Sequence, residues 1–271
     1  MLARRLLPVE YQSFNARYGA PSGRHRFVVG MADRIGGPVQ GLMRTTPACR
    51  WRGPFAHQWN TRTRAYEYPW VHHQLASLGP SRILEIGGAL SGFQFALAAE
   101  GHEVHNVDPF LDYGDAGYAI DPVVVHAALN RAFRTNVTLH RTTVPEAALA
   151  GPFDAVVCVS TIEHLSREDI AATMAAAREV LVPGGLVVLT VDLFLDLAPF
   201  TDRVSNRWGA NVPISWLQET LGTAEIVQGV RDELYGCDGF SPVAVLSRLE
   251  EYAMSADYPQ LAQMVAFRLG D

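Results

Sequence analysis

The chain has 271 residues, 48% of them hydrophobic, with a formal net charge of -6. That length and composition can bury one large core as a single α/β domain. All 22 basic residues are arginine, and an acidic balance argues against the clustered positive surface a nucleic-acid partner needs. No apolar run approaches the roughly 20 residues that cross a bilayer, and the opening Met1–Leu7 stretch meets Pro8 and Glu10 before a signal-length run develops. A cytoplasmic protein with no membrane partner is therefore expected. Cys49, Cys158 and Cys237 lie far apart and show no paired ligand spacing, so neither a disulfide framework nor a zinc site is read.

In chain order, residues 1–65 are rich in Arg, Gly, Pro and aromatics with weak periodicity, including Gly36-Gly37-Pro38, and read as an N-terminal extension or cap. Residues 66–271 would form the main domain. From Tyr68 to Leu78 the apolar spacing predicts a helix, ended by Gly79-Pro80. Short apolar runs then alternate with helical segments: Arg82–Ile86, Gly92–Glu100, Glu103–Val107, Val123–Arg134, Val137–Leu139, Asp154–Val159, Arg167–Leu181 and Leu186–Val191. That rhythm predicts a doubly wound, mostly parallel sheet with helices on both faces. A helix over Ile214–Leu221 and strands at Glu225–Val230 and Gln263–Leu269 complete seven strands. Insertions at about 193–213 and 231–261 interrupt the alternation.

The strongest local signal is Leu84-Glu85-Ile86-Gly87-Gly88-Ala89-Leu90-Ser91-Gly92, which follows a strand and opens a helix. Small residues there let a ligand approach backbone, and the helix start offers N–H donors and a positive dipole end. Sixteen residues after Gly92, the next strand ends in Asp108, whose carboxylate suits ribose hydroxyls.

Glu85-Ile86-Gly87-Gly88 resembles the first motif of class I S-adenosylmethionine (SAM)-dependent methyltransferases. Phe153–Cys158 is similar to that family's fourth strand. Ser160-Thr161-Ile162-Glu163-His164-Leu165 resembles the segment that follows it in the quinone-methyltransferase-like subfamily, and Leu181-Val182-Pro183-Gly184-Gly185 resembles the turn into the fifth strand. The likeness covers about residues 70–230. It implies a Rossmann-like methyltransferase fold with SAM as cofactor and a small-molecule acceptor. It further implies a methionine site at Glu85, Gly87 and Gly88, a ribose site at Asp108, and an adenine site near Thr142 and Thr143, with Ser160 alongside.

Ala89 and Ser91 stand where the family commonly has glycine, which leaves Gly92 as an alternative close-approach position. Gly87-x-Ala89-x-x-Gly92 is also a variant of the dinucleotide fingerprint, so an NAD(P)-dependent oxidoreductase is a rival. The acidic residue two before the first glycine and the Pro-Gly-Gly turn favour SAM. Cyclisation of SAM, releasing methylthioadenosine, and non-catalytic SAM binding are further alternatives.

His164 is the candidate general base, because it follows the fourth strand at the ligand-binding edge of such sheets and an imidazole titrates near about 6.5. The alternative is that Glu163 and His164 start a helix and fix the loop. Tyr68, Trp70, Phe194, Arg207, Trp208 and Tyr235 are candidate acceptor contacts, the aromatics to enclose a flat molecule and Arg207 to pair with an anionic group. The exposed aromatics fit a homodimer contact as well. Adjacent His72 and His73 diverge on a helix, and no metal is expected. Arg-only basicity with abundant Ala, Gly and Val suits a GC-rich bacterial coding sequence and a biosynthetic role.

Overall fold

The computed structural model describes residues 1–24, 49–58, 60–111, 121–255 and 258–270. The Gly36-Gly37-Pro38 cluster lies outside these residues. Strands β1 (Arg82–Ile86), β2 (Glu103–Val107), β3 (Thr138–His140), β4 (Phe153–Val159), β5 (Leu181–Phe194), β6 (Ala224–Gln228) and β7 (Gln260–Leu269) form one seven-stranded sheet in the order β3-β2-β1-β4-β5-β7-β6. Pairings from β3 to β5 are parallel, while β7 runs antiparallel to both β5 and β6. The turn at Pro183-Gly184-Gly185 shifts the β4–β5 register between Phe153 and Ala155, because proline cannot donate to the ladder.

The α-helices of five or more described residues are α1 (Val9–Tyr18), α2 (Arg64–Leu75), α3 (Gly92–Ala99), α4 (Pro122–Phe133), α5 (Arg167–Glu179), α6 (Ile214–Thr220) and α7 (Pro242–Leu246). Their starts follow local chemistry. The Ser91 hydroxyl accepts the Phe93 N–H, Asp121 accepts Val123 N–H ahead of Pro122, and Ser166 accepts Asp169 N–H. In α1, Tyr11, Phe14 and Tyr18 bury one face against the sheet side that carries α2. The first residues continue the sheet, since Ala3 N–H donates to Ala262 O and Leu2 bridges Gln263. No helix among the described residues is long and apolar enough to cross a membrane.

Side chains alternate across each strand, and two clusters result. Ile83, Ala155, Val157 and Val188 pack toward α1–α4, whereas Leu84, Val156, Cys158, Val187 and Leu189 pack toward α5 and α6. Toward the carboxyl ends of β1 and β5, the face beneath α2 changes from apolar to polar. Ile83 is followed two residues on by Glu85, and Val188 by Thr190 and then Asp192, all buried. A core face that turns polar at one end of a parallel sheet is where such folds hold ligands.

Candidate active site

At that edge lies a cavity of about 700 Å³. Its floor is the β1 turn, with Glu85, Gly87, Gly88 and Ser91. One side is Asn60 and Thr61 from the segment leading into α2, with Arg64 and Tyr68 of α2 itself. The far end is Ser160, His164, Asp192, Arg207, Trp208 and Tyr258.

Gly87 has φ +67°, and a Cβ there would fall 2.2 Å from Thr161 Cγ2, so the turn must pass close under the β4 loop. A Cβ on Gly88 would lie 2.7 Å from Glu85 Cδ. The turn is braced from below. Asn106 Oδ1 accepts Gly88 N–H (3.2 Å), Asn106 Nδ2 donates to Ala89 O (2.9 Å) and to Gln94 Oε1 (3.2 Å), and His126 Nε2 meets Gln94 Oε1 at 2.9 Å. Ala89 adopts φ +44°, so a non-glycine residue here takes the left-handed conformation the turn needs.

Glu85 is 1% exposed. Its Oε1 accepts the Ser91 hydroxyl at 2.9 Å, and its Oε2 has no hydrogen-bond partner among the described residues. Burial pushes its carboxyl up to about 8, against the Ser91 hydrogen bond and helped by nearby Asp108. An orphaned buried acceptor beside a backbone cradle fits a ligand that brings a cationic donor, as the ammonium of a methionine moiety does. Glu85, Gly87 and Gly88 all line the cavity at this end.

Asp108 closes β2, where Oδ2 accepts Ala89 N–H (2.9 Å) and Oδ1 accepts Phe110 N–H (2.7 Å). These bonds tie the acidic residue to the glycine turn one strand away. Gly92 serves packing: a Cβ there would meet Phe55 N and Pro54 C at 2.5 Å. Thr142 and Thr143 both donate to Glu146 Oε2 at 2.9 Å, outside the cavity wall.

The far end is held by charges that sequence reasoning missed. Arg64 Nη1 donates to both oxygens of Glu67 (2.8 and 2.6 Å) and to Ser160 Oγ (2.5 Å). Thr190 donates to Glu67 Oε1 at 2.6 Å, and Ser160 Oγ stands 2.9 Å from both Glu67 Oε1 and Asp192 Oδ1. Burial opposes ionisation of this pair, yet Arg64 and the Thr190 hydrogen bond hold the Glu67 carboxyl below its ordinary range, and Glu67 with Asp192 keeps Arg64 charged. Ser160 sits at φ +43° with its N–H on Thr190 O (2.8 Å), which aims its hydroxyl into the cluster.

Two further carboxyls face this pair. Burial and then Glu163 push Asp192 well above its ordinary value, with Arg64 opposing, and burial pushes Glu163 up to about 7. Glu163 Oε1 accepts Asp192 N–H at 3.1 Å, while its Oε2 has no partner among the described residues.

The insertion after β5 packs tightly here. Asn211 accepts Phe194 N–H (2.7 Å) and donates to Phe194 O and Ala198 O, and Ala210 N–H donates to Glu163 O (3.1 Å). Gly209 has no room for a side chain, since a Cβ would lie 1.9 Å from Glu163 O. Trp208 stacks on Tyr258 (5.1 Å, 23°), the Arg207 guanidinium lies 4.5 Å from the Trp208 ring centroid, and the Trp208 carbonyl accepts the Nδ1–H of His164.

Of the residues expected at the acceptor, Tyr68, Arg207 and Trp208 line the cavity with His164. Trp70 and Phe194 are 2% and 0% exposed and belong to the packed interior, and Tyr235 packs on Phe240 at 5.6 Å. Helical and strand periodicity turns Trp70 and Phe194 inward.

The family model described as a methyltransferase domain matches residues 60–222. No curated protein matches the chain. The fold is similar to the N-methyltransferase NodS of Bradyrhizobium japonicum in complex with S-adenosyl-L-homocysteine (TM-score 0.51, 17% identity, 78% of this chain and 90% of that one). It is also similar to an S-adenosylmethionine-dependent methyltransferase of Clostridium acetobutylicum (TM-score 0.51, 9% identity, 76% and 91%). The chain belongs to the methyltransferase-domain family. It is a class I methyltransferase whose cofactor is SAM.

Proposed function

We propose that this enzyme transfers the SAM methyl group to a small molecule seated between the Gly87–Gly88 turn and the Trp208–Tyr258 wall. One observation carries this reading: the cavity runs from the cofactor cradle to an aromatic and acidic far end, and its volume of about 700 Å³ falls in the range of small-molecule sites. SAM supplies an electrophilic methyl carbon. The protein's part is alignment and exclusion of water, with Glu85, Gly87 and Gly88 at the methionine end, Asp108 at the ribose and Tyr68 along the wall. The acceptor loses its proton at the far end, where His164 and Asp192 line the cavity, and Arg207 meets an anionic substituent.

The acidic net charge and all-arginine basic set support a small acceptor over nucleic acid, and a bacterial biosynthetic setting in the cytoplasm. The test is SAM turnover by the purified chain against a panel of hydroxyl and amine metabolites, followed by mass spectrometry. Acceptor-dependent S-adenosylhomocysteine is the expected product. Methylthioadenosine in its place overturns methyl transfer.

A further inference from the structure

We infer that Glu163, His164 and Asp192 form a divalent-cation site of the Mg²⁺ or Mn²⁺ class, which presents an acceptor oxygen to the cofactor. The inference deepens the reading of the acceptor end given above. One ligand atom from each of the three residues lies within 4.8 Å of the others, and both carboxylates are buried. Expectation from the sequence runs the other way, because ligand spacing is local whereas Asp192 comes from a different strand.

Three observations beyond proximity point to a cation. First, the charges do not balance. Arg64 makes a two-oxygen contact with Glu67 at 2.6 and 2.8 Å and stands 3.6 Å from Asp192, so one guanidinium serves three buried acids, Glu67, Asp192 and Glu163. Two carboxylates and a neutral imidazole match a dication. Second, Glu163 is fully buried and its Oε2 is unpartnered among the described residues, while Oε1 is fixed by the Asp192 N–H. A buried carboxylate oxygen with no donor is costly unless the group takes up a proton or a cation meets it.

Third, the His164 Nδ1–H donates to the Trp208 carbonyl, which leaves the Nε2 lone pair free for coordination. A backbone carbonyl on the far ring nitrogen is how metal-bound imidazoles are commonly oriented. Gly209, which admits no side chain, lets this loop sit against Glu163. Oxygen-rich ligation with one imidazole suits hard divalent ions. Such an ion takes the acceptor hydroxyl or carbonyl oxygen as a further ligand, and it lowers the pKa of a bound hydroxyl. His164 then acts as ligand rather than base, and the hydroxyl proton passes to water before the oxygen takes the methyl group.

The test uses the full chain, treated with chelator and freed of it, without SAM or acceptor, so its outcome is separate from the methyl-transfer assay. MnCl₂ is titrated by calorimetry and by the electron paramagnetic resonance signal of free Mn²⁺. One Mn²⁺ per chain is expected, with ¹⁴N modulation from a coordinated imidazole. His164→Ala and Asp192→Asn should each weaken binding more than about tenfold, and His164→Ala should abolish the nitrogen modulation. Glu219→Gln, at an exposed acid on α6, should leave binding unchanged. His164 is exposed, so its variant reads out the site even if Asp192→Asn fails to fold. Absence of stoichiometric Mn²⁺ binding overturns the inference, as does wild-type affinity in His164→Ala.

Discussion

Replacing Glu85 by Gln tests the electrostatics of the cofactor end. The Glu85 carboxyl is buried and raised from 4.5 to about 8, by burial first, with the Ser91 hydroxyl opposing and Asp108 adding to the rise. Between those two pH values the folded chain holds a proton that the unfolded chain has lost, so stability falls as pH rises. The loss begins near pH 4.5 and is complete near pH 8. At about 1.36 kcal/mol per pH unit it amounts to about 5 kcal/mol for the ligand-free protein, and about 3 kcal/mol at pH 7.

Gln cannot ionise, so the variant should lack this slope. Burying its amide without a full set of partners costs about 1–3 kcal/mol. Chemical denaturation of the ligand-free proteins from pH 5 to 9 should therefore show Glu85→Gln less stable than wild type at pH 5 and more stable at pH 9. SAM reverses the balance, because an ammonium beside Glu85 favours the carboxylate. Wild-type binding at pH 7 should release a proton, seen as a dependence of calorimetric heat on buffer ionisation enthalpy, and Glu85→Gln should bind more weakly with that release much reduced. Parallel stability curves for the two proteins, together with proton release that the substitution leaves unchanged, would refute the reasoning.

Asp108→Ala removes a carboxylate that orders both Ala89 and Phe110 N–H groups. SAM affinity should fall by about 1–3 kcal/mol in calorimetry, and unchanged affinity would remove Asp108 from the site. Arg64→Met leaves Glu67 buried and unpaired and should cost about 3–5 kcal/mol in denaturant unfolding, most of it recovered in the Arg64→Met, Glu67→Met double variant. Gly209→Ala drives a methyl against the Glu163 carbonyl, so KM for the acceptor should rise while SAM affinity holds. A fall in SAM affinity as large as the rise in KM would show that the loop serves the cofactor end too.

Periodicity made the sheet legible. β1 and β2 fall on the residues predicted, because short β-branched runs flanked by turn residues have few other ways to be buried. α1 was invisible for a converse reason. Its buried face is three aromatics in an otherwise polar stretch, Tyr11, Phe14 and Tyr18, and only docking against α2, Phe55 and Phe93 gives that face its partners. The glycine turn that floors the cavity is legible as a motif, since backbone approach leaves a local mark, whereas Asp108, read for a ribose, is tied to the Ala89 and Phe110 N–H groups. The acidic end leaves no such mark. Glu67 reads as a solvated helix residue and Asp192 as the end of a strand until the fold brings them 2.9 Å from the same serine hydroxyl. The available signal was a charged residue on an inward phase, Asp192 two after Thr190 and four after Val188.

That phase explains why the acceptor end is acidic and confined. β5 sends Val188, Thr190 and Asp192 toward α2, while Val187, Leu189 and Val191 belong to the core on the other side. The polar side chains must therefore find partners beneath α2 or remain unsatisfied. Arg64 and Glu67 satisfy one another, Thr190 and Ser160, and that pairing uses the only arginine in direct contact with this group of described residues. Asp192 faces the cavity with buried Glu163 behind it, and the one arginine is shared among three carboxyls. Replacing that acid pair with apolar residues would pack as well and fold more easily. The two buried acids kept against this cost, at the end of the cavity opposite the cofactor cradle, are the groups the inferred cation would meet.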